Sequence, residues 1–170
     1  TCAYGIYVKK SNVVIKNNDF DIAIPTFVVN WGATRESFSE GIVIVGCDDA
    51  ILNHNNSTIS TNGGTSWDTI YGIDILNSAH AKVVSNDILV KGAGYTYAII
   101  INDEYFVISD NNIVVTSDEY ACAIDVEGTA EGIIVSNNIG ATATNSAYPI
   151  YSGMNYMPVN ITIQKNNITG

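Results

Sequence analysis

Arginine is almost missing from this chain: Arg35 stands alone, and lysine and arginine together number seven against seventeen acids, a net charge of −10. Nucleic acid is held by clustered positive charge, so neither duplex nor single strand is a partner. Leucine is nearly as scarce, with only Leu52, Leu76 and Leu89, which argues against a leucine-rich repeat. No apolar run approaches the roughly 18 residues of a membrane span. No basic stretch followed by an apolar segment opens the chain, so no signal peptide is read there. No helical stripe of about ten residues or more occurs anywhere. Cys2, Cys47 and Cys122 lie in different segments without C-x-x-C spacing, so they offer neither a disulfide framework nor a zinc site. They are expected to be small core or corner residues. Charged residues make up only 14% against 46% hydrophobic, which excludes disorder and permits one domain with a sizeable core.

What the chain does have is one sentence written six times. Asn18, Asn55, Asn86, Asn111, Asn137 and Asn166 recur at steps of 37, 31, 25, 26 and 29 residues. Three residues before each stand Ile15, Leu52, Val83, Ile108, Ile134 and Ile163. Two residues after each stand Phe20, Ser57, Ile88, Ile113, Ile139 and Ile168, with only Ser57 off pattern. A period of roughly 20–50 residues signals a solenoid or array. Each unit alternates with period two, the strand signal. A first strand carries Ile6/Val8, Ile42/Ile44, Ile73/Ile75, Ile99/Ile101, Ile124/Val126 and Ile150. A second ends at the residue three before the asparagine, and a third begins two after it. Three short strands per turn, repeated in one sense, close into a coil of parallel sheets. A propeller blade would need about 40 residues with antiparallel hairpins.

The phrase Gly-Ile-x-Val followed by Val-x-Ile-x-Asn-Asn and an apolar residue, as in Gly5 to Phe20, resembles the right-handed parallel β-helix of the pectate-lyase-like superfamily. Within it, Tyr71-Gly-Ile and Ser136-Asn-Asn-Ile-Gly-Ala-Thr-Ala-Thr look most like the adhesin-like surface proteins of methanogenic archaea. The resemblance implies an all-β solenoid of about six coils. It also implies an extracellular, acidic, rod-shaped module for attachment or envelope structure, and it carries over no catalytic residue. The whole of residues 1–170 reads as one β-helix domain, and its start in mid-pattern is expected to make it a piece of a longer surface protein.

In such a coil the asparagines are expected to point inward at a corner and bond to their equivalents about 4.8 Å above and below. Asparagine also tolerates the left-handed backbone of a tight corner. Tyr4, Tyr71, Tyr97, Tyr120 and Tyr148 form a second column, with Glu40 in coil two, expected to stack at another corner. If Ile6 and its equivalents face in, strict alternation turns Gly5/Tyr7/Lys9, Gly41/Val43/Val45, Gly72/Asp74/Leu76, Ala98/Ile100/Asn102, Ala123/Asp125/Glu127 and Pro149/Tyr151 toward solvent. Exposed Val43, Val45, Leu76, Ile100, Tyr7 and Tyr151 would then make a partly apolar contact strip.

Chemistry has few places to sit. Asp74 and Asp125, two rungs apart, would be separated by roughly 9–10 Å, near the upper limit for an inverting glycosidase pair. Glu127 is a third acid on that face, but a lyase would need carboxylates for Ca²⁺ and a basic residue beside them, and none is near. Gly46-Cys47-Asp48-Asp49 is similar to one element of polygalacturonase-type hydrolases, yet the companion elements are missing and a bend between strands explains it. His54 and His80 have no nucleophile or ligand partner at readable spacing and are expected at the surface. Trp31, in the long stretch from Asp21 to Ser39, and Trp67, in the turn-rich stretch from Thr61 to Asp68, would offer an aromatic platform for a sugar ring. Among Asn55, Asn56, Asn160 and Asn167, which carry the Asn-x-Ser/Thr pattern, Asn160 is the best glycosylation candidate.

Two functions follow. The first is a non-catalytic extracellular module binding glycans or neighbouring subunits through its sheet face, without cofactor. The second is a polysaccharide-active enzyme using Asp74 and Asp125, the only reading in which Ca²⁺ has a place. End-to-end self-association through open sheet edges is a further partner expectation.

Overall fold

The computed structural model describes residues 2–10, 12–25, 38–62, 68–102, 105–127, 131–152 and 160–170. Among them there is no helix, and the strands follow the repeat coil by coil. Coil one holds β1 (Cys2–Lys9), β2 (Val14–Lys16) and β3 (Asp19–Pro25), and coil two β4 (Phe38–Val45), β5 (Ile51–Asn53) and β6 (Asn56–Asn62). Coil three holds β7 (Thr69–Leu76), β8 (Ala81–Val84) and β9 (Asp87–Gly92), and coil four β10 (Tyr95–Asn102), β11 (Tyr105–Ser109) and β12 (Asn112–Ser117). Coil five holds β13 (Tyr120–Val126), β14 (Glu131–Val135) and β15 (Asn138–Ala143), and coil six β16 (Ser146–Ser152), β17 (Asn160–Gln164) and β18 (Asn167–Thr169).

Each coil gives one strand to each of three six-stranded sheets, in the orders β1-β4-β7-β10-β13-β16, β2-β5-β8-β11-β14-β17 and β3-β6-β9-β12-β15-β18. All fifteen pairings are parallel. This is a right-handed parallel β-helix, the hand that parallel crossovers almost always take. The register is the one the repeat predicts: Ile15, Leu52, Val83, Ile108, Ile134 and Ile163 lie on one line. The aliphatic residues on these lines form the core down the axis, including Ile44, Leu52, Ile75, Ile88, Ile101 and Ile108.

The asparagine file is continuous. From Asn18 to Asn137, each asparagine donates both its backbone N–H and its Nδ2 to the Oδ1 of the asparagine one coil on, at 2.8–3.2 Å. From Asn55 on, the Nδ2 groups also reach back to a carbonyl of the preceding coil, as Asn55 does to Ile15 and Asn111 to Val83. The left-handed backbone is not on these asparagines, however. It falls on the residue before each: Asn17, His54, Ser85, Asp110, Ser136 and Lys165, with φ between 52° and 58°. The corner bends there so that the next amide can turn inward, and the asparagine is selected for its two donors and one acceptor.

A second departure concerns the first sheet. Ala98 and Ile99 both belong to the core, as do Ala123 and Ile124. Strict alternation therefore breaks by one residue there, as at a bulge. Gly5, Gly41 and Gly72 occupy the equivalent rung and face the axis, not solvent as alternation predicted. A Cβ on Gly41 would lie 2.5 Å from Ile59 Cδ1, and one on Gly72 2.6 Å from Val90 Cγ2.

Size is balanced between rungs as well. Phe106, fully buried, lies in register with Gly132, whose missing Cβ would sit 2.4 Å from the Phe106 ring. Ser57, the off-pattern residue, is paired likewise with bulky Phe20. Gly132→Ala should therefore overpack the core and cost about 1–3 kcal/mol, read as a lower urea midpoint. Phe106→Leu in the same chain should recover part of that loss.

Candidate functional site

The break in alternation decides which residues face outward on the first sheet. On its far side Tyr7, Val43, Asp74, Ile100, Asp125 and Tyr151 form one outward row, in register. On its near side Tyr4, Glu40, Tyr71, Tyr97, Cys122 and Tyr148 form another. The predicted tyrosine column is thus corrected at coil five: Cys122 takes the rung, and Tyr120 pairs with Tyr95 one outward position earlier. The Tyr120 ring still fills the gap over the small cysteine. Ring centroids run from Tyr71 to Tyr97 at 5.4 Å, Tyr97 to Tyr120 at 5.5 Å and Tyr120 to Tyr148 at 5.3 Å. Tyr95, which the repeat pattern did not single out, joins Tyr120 at 5.5 Å. A parity count from Tyr97 would have found it.

The other row is not the solvent strip that alternation predicted. Val43, Asp74, Ile100 and Asp125 retain only 2%, 6%, 6% and 3% of their exposure, while Tyr7 at one end keeps 49%. Val45, Leu76 and Tyr151 are half-buried. Tyr7 and Tyr151 stand five rungs apart, about 24 Å at the usual strand spacing, so they belong to one row but not to one pocket. Each of them packs instead on its neighbour, Tyr7 on Tyr4 at 5.3 Å and Tyr151 on Tyr148 at 5.6 Å.

Asp74 and Asp125 are therefore buried acids, two rungs apart with Ile100 between them. One carboxylate oxygen of each finds no hydrogen-bond partner, and among the described residues only the Thr96 hydroxyl shares that condition. Burial, then the charges of Glu40 and Glu127, pushes the Asp74 carboxyl up to about 7. Burial, then Glu127, does the same for Asp125. Glu40 is raised by burial too. Burial first, and Asp74 second, pushes the Tyr71 hydroxyl up to about 12, and Tyr97 and Tyr120 move in the same direction. Near neutral pH the face thus carries protonated phenols and half-protonated carboxyls, both able to donate as well as accept a hydrogen bond.

The remaining candidates are scattered. Trp31 and Trp67 lie outside the described residues. Cys47 belongs to the core, and Cys122 is buried on the tyrosine side. His54 and His80 are exposed; His80 lies 3.8 Å from Asp49 and against the Tyr105 ring. Asn160 is exposed at the start of β17. Among the described residues no three His, Cys, Asp or Glu side chains gather as a metal site, and no helix is long and apolar enough to cross a membrane. No family model, no curated protein and no solved structure matches this chain.

Proposed function

We propose that the chain is a non-catalytic extracellular module of an adhesin-like surface protein, and that the outer face of its first sheet binds glycans. The observation that carries this reading is the file of tyrosine rings from Tyr71 to Tyr148, spaced 5.3–5.5 Å from ring to ring. A sugar offers an apolar C–H face and a rim of hydroxyls. Tyrosine offers a ring for the first and a phenol for the second. The acids Glu40, Asp74, Asp125 and Glu127 beside the rings select for neutral glycans over uronates, because no described ion pair offsets their charge. Neighbouring protein subunits are the second class of partner for the same face.

On a panel of neutral and uronate polysaccharides, the chain should bind neutral members, and Tyr97→Ala with Tyr148→Ala should weaken that binding about tenfold or more. Equal binding by the double variant, or preference for uronates, would refute this reading.

A second reading is favoured by one feature. Two carboxyls raised to about 7 suit a general acid, as in a polysaccharide-active enzyme of the pectate-lyase-like superfamily using Asp74 and Asp125, with Glu127 beside them. New reducing ends or unsaturated products, with or without added Ca²⁺, that vanish in Asp74→Asn or Asp125→Asn would establish it over the first.

A further inference from the structure

We propose that the row Asp74, Ile100, Asp125 on the first sheet binds a linear aliphatic diammonium or polyamine, with one ammonium at each aspartate and the methylene chain over Ile100. This goes beyond glycan binding and does not rest on it.

The row has two unsatisfied ends and an apolar middle. Asp74 and Asp125 keep only 6% and 3% of their exposure, and each holds a buried carboxylate oxygen that meets no donor. A buried carboxylate without a partner is costly, and a cation is the partner that relieves it most. The sheet does not supply one. Along its six strands the only basic residue is Lys9, in coil one, two rungs from Asp74 and in a different row. The surrounding acids deepen the negative field instead: Glu40 acts on Asp74, and Glu127 acts on both aspartates.

The spacing selects the kind of cation. The two aspartates stand two rungs apart, roughly 9–10 Å, whereas a Ca²⁺ or Mg²⁺ ion draws its oxygens to within about 2.0–2.6 Å of one point. Among the described residues no three acids gather in that way. A diammonium reaches both aspartates because its charges are held apart by a stem. That stem packs on Ile100, as the stem of a lysine packs on apolar surface. Tyr71 and Tyr97 lie on the rungs of Asp74 and Ile100, their rings 5.4 Å apart in the adjoining row, and add cation–π attraction. With so little of either aspartate exposed, a bulky cationic partner is excluded, and a slender chain is the form that reaches them.

Calorimetric titration of the folded chain with spermidine and with cadaverine tests this. Both should bind at one saturable site, at least about tenfold more tightly than n-butylamine, which carries a single ammonium. Mg²⁺ at the same concentration should not displace them. Burial raises Asp74 and Asp125 to about 7, while Tyr71, Tyr97, Tyr120 and Cys122 beside them are held protonated. Seating an ammonium on each carboxyl near neutral pH should therefore expel protons, read as heats that differ between buffers of unlike ionisation enthalpy. Asp74→Asn with Asp125→Asn should stay folded by circular dichroism and weaken binding about tenfold or more. Asp21→Asn with Asp110→Asn removes the same charge from exposed positions elsewhere and should bind like the parent. The first of these variants should keep its affinity for neutral glycans, so the two readings fail separately. Absence of saturable binding would overturn the proposal. So would displacement by Mg²⁺, equal loss in both double variants, or heats identical in every buffer, each of which reduces the effect to diffuse attraction by a chain of net charge −10.

Discussion

Asn111→Ala should lose about 3 kcal/mol or more of folding stability, measured by urea unfolding, whereas Asn18→Ala should lose about 1 kcal/mol or less. The difference is positional. Asn111 is buried; its Oδ1 accepts from the Asn86 backbone N–H and Nδ2, and its own Nδ2 serves Val83 and Asn137. Truncation leaves the buried Asn86 backbone N–H without its acceptor and takes the side-chain donor from the Val83 carbonyl at the axis of the coil, while Asn86 Nδ2 keeps only the Leu52 and Val84 carbonyls. Each orphaned buried group costs about 1–3 kcal/mol, and the losses add incompletely because neighbours relax. Asn18 sits at the end of the file, exposed, with no donor above it. Its loss exposes little that water cannot reach. Asn111→Asp is the sharper comparison, since a carboxylate keeps the acceptor, removes both donors and buries a charge. Equal losses at Asn18 and Asn111 would mean that the file is ornamental to stability.

The chain should also be least stable at mildly alkaline pH. Asp74 and Asp125 have folded-state values raised to about 7 from the ordinary 3.8. Between those limits the folded protein holds protons that the unfolded chain has released. Stability is therefore fully present below the unfolded value and is lost as pH rises through the folded one. The window runs from about pH 4 to about pH 7, and the two groups together amount to several kcal/mol, by the conversion of about 1.4 kcal/mol per pH unit. Tyr71 and Tyr97 flank the carboxyls as neutral donors throughout that range, and Glu40 and Glu127 only add repulsion. A neutral amide mimics the protonated acid, so the double variant Asp74→Asn, Asp125→Asn should gain at least about 2 kcal/mol at about pH 8 and little at about pH 5. Urea midpoints that rise with pH across this interval, or a double variant with the parent's slope, would remove the buried acids as the cause. The same variants separate stability from chemistry: in the binding module they leave affinity for neutral glycans near the parent's and relax the exclusion of uronates, and in the enzyme they abolish turnover.

The repeat itself was legible before any coordinates. An asparagine, an aliphatic residue three before it and another two after it fix the registers of the second and third strands at once, because side chains alternate along those strands and a slip of one residue would turn every aliphatic outward. Six repetitions leave no competing alignment, and coil number, strand order and the inward file all follow. Three matters were beyond that reading. The one-residue break at Gly72 and Ala98 reverses alternation within a single strand, and nothing local separates such a glycine from one facing solvent; only Ile59 and Val90, from a different sheet, show why a side chain is excluded there. The left-handed corner residue varies from His54 to Lys165, so no residue type marks it. The Cys122 rung escapes notice because Tyr120 also precedes a small residue, and register alone tells the two apart. The sequence thus determined by itself the wound coil, its core lines and its asparagine file, since these repeat an interaction between equivalent residues in successive turns. Only the tertiary structure decided that Val43, Asp74, Ile100 and Asp125 are buried on the outer face, because burial is a property of the assembled molecule that no periodicity along the chain records.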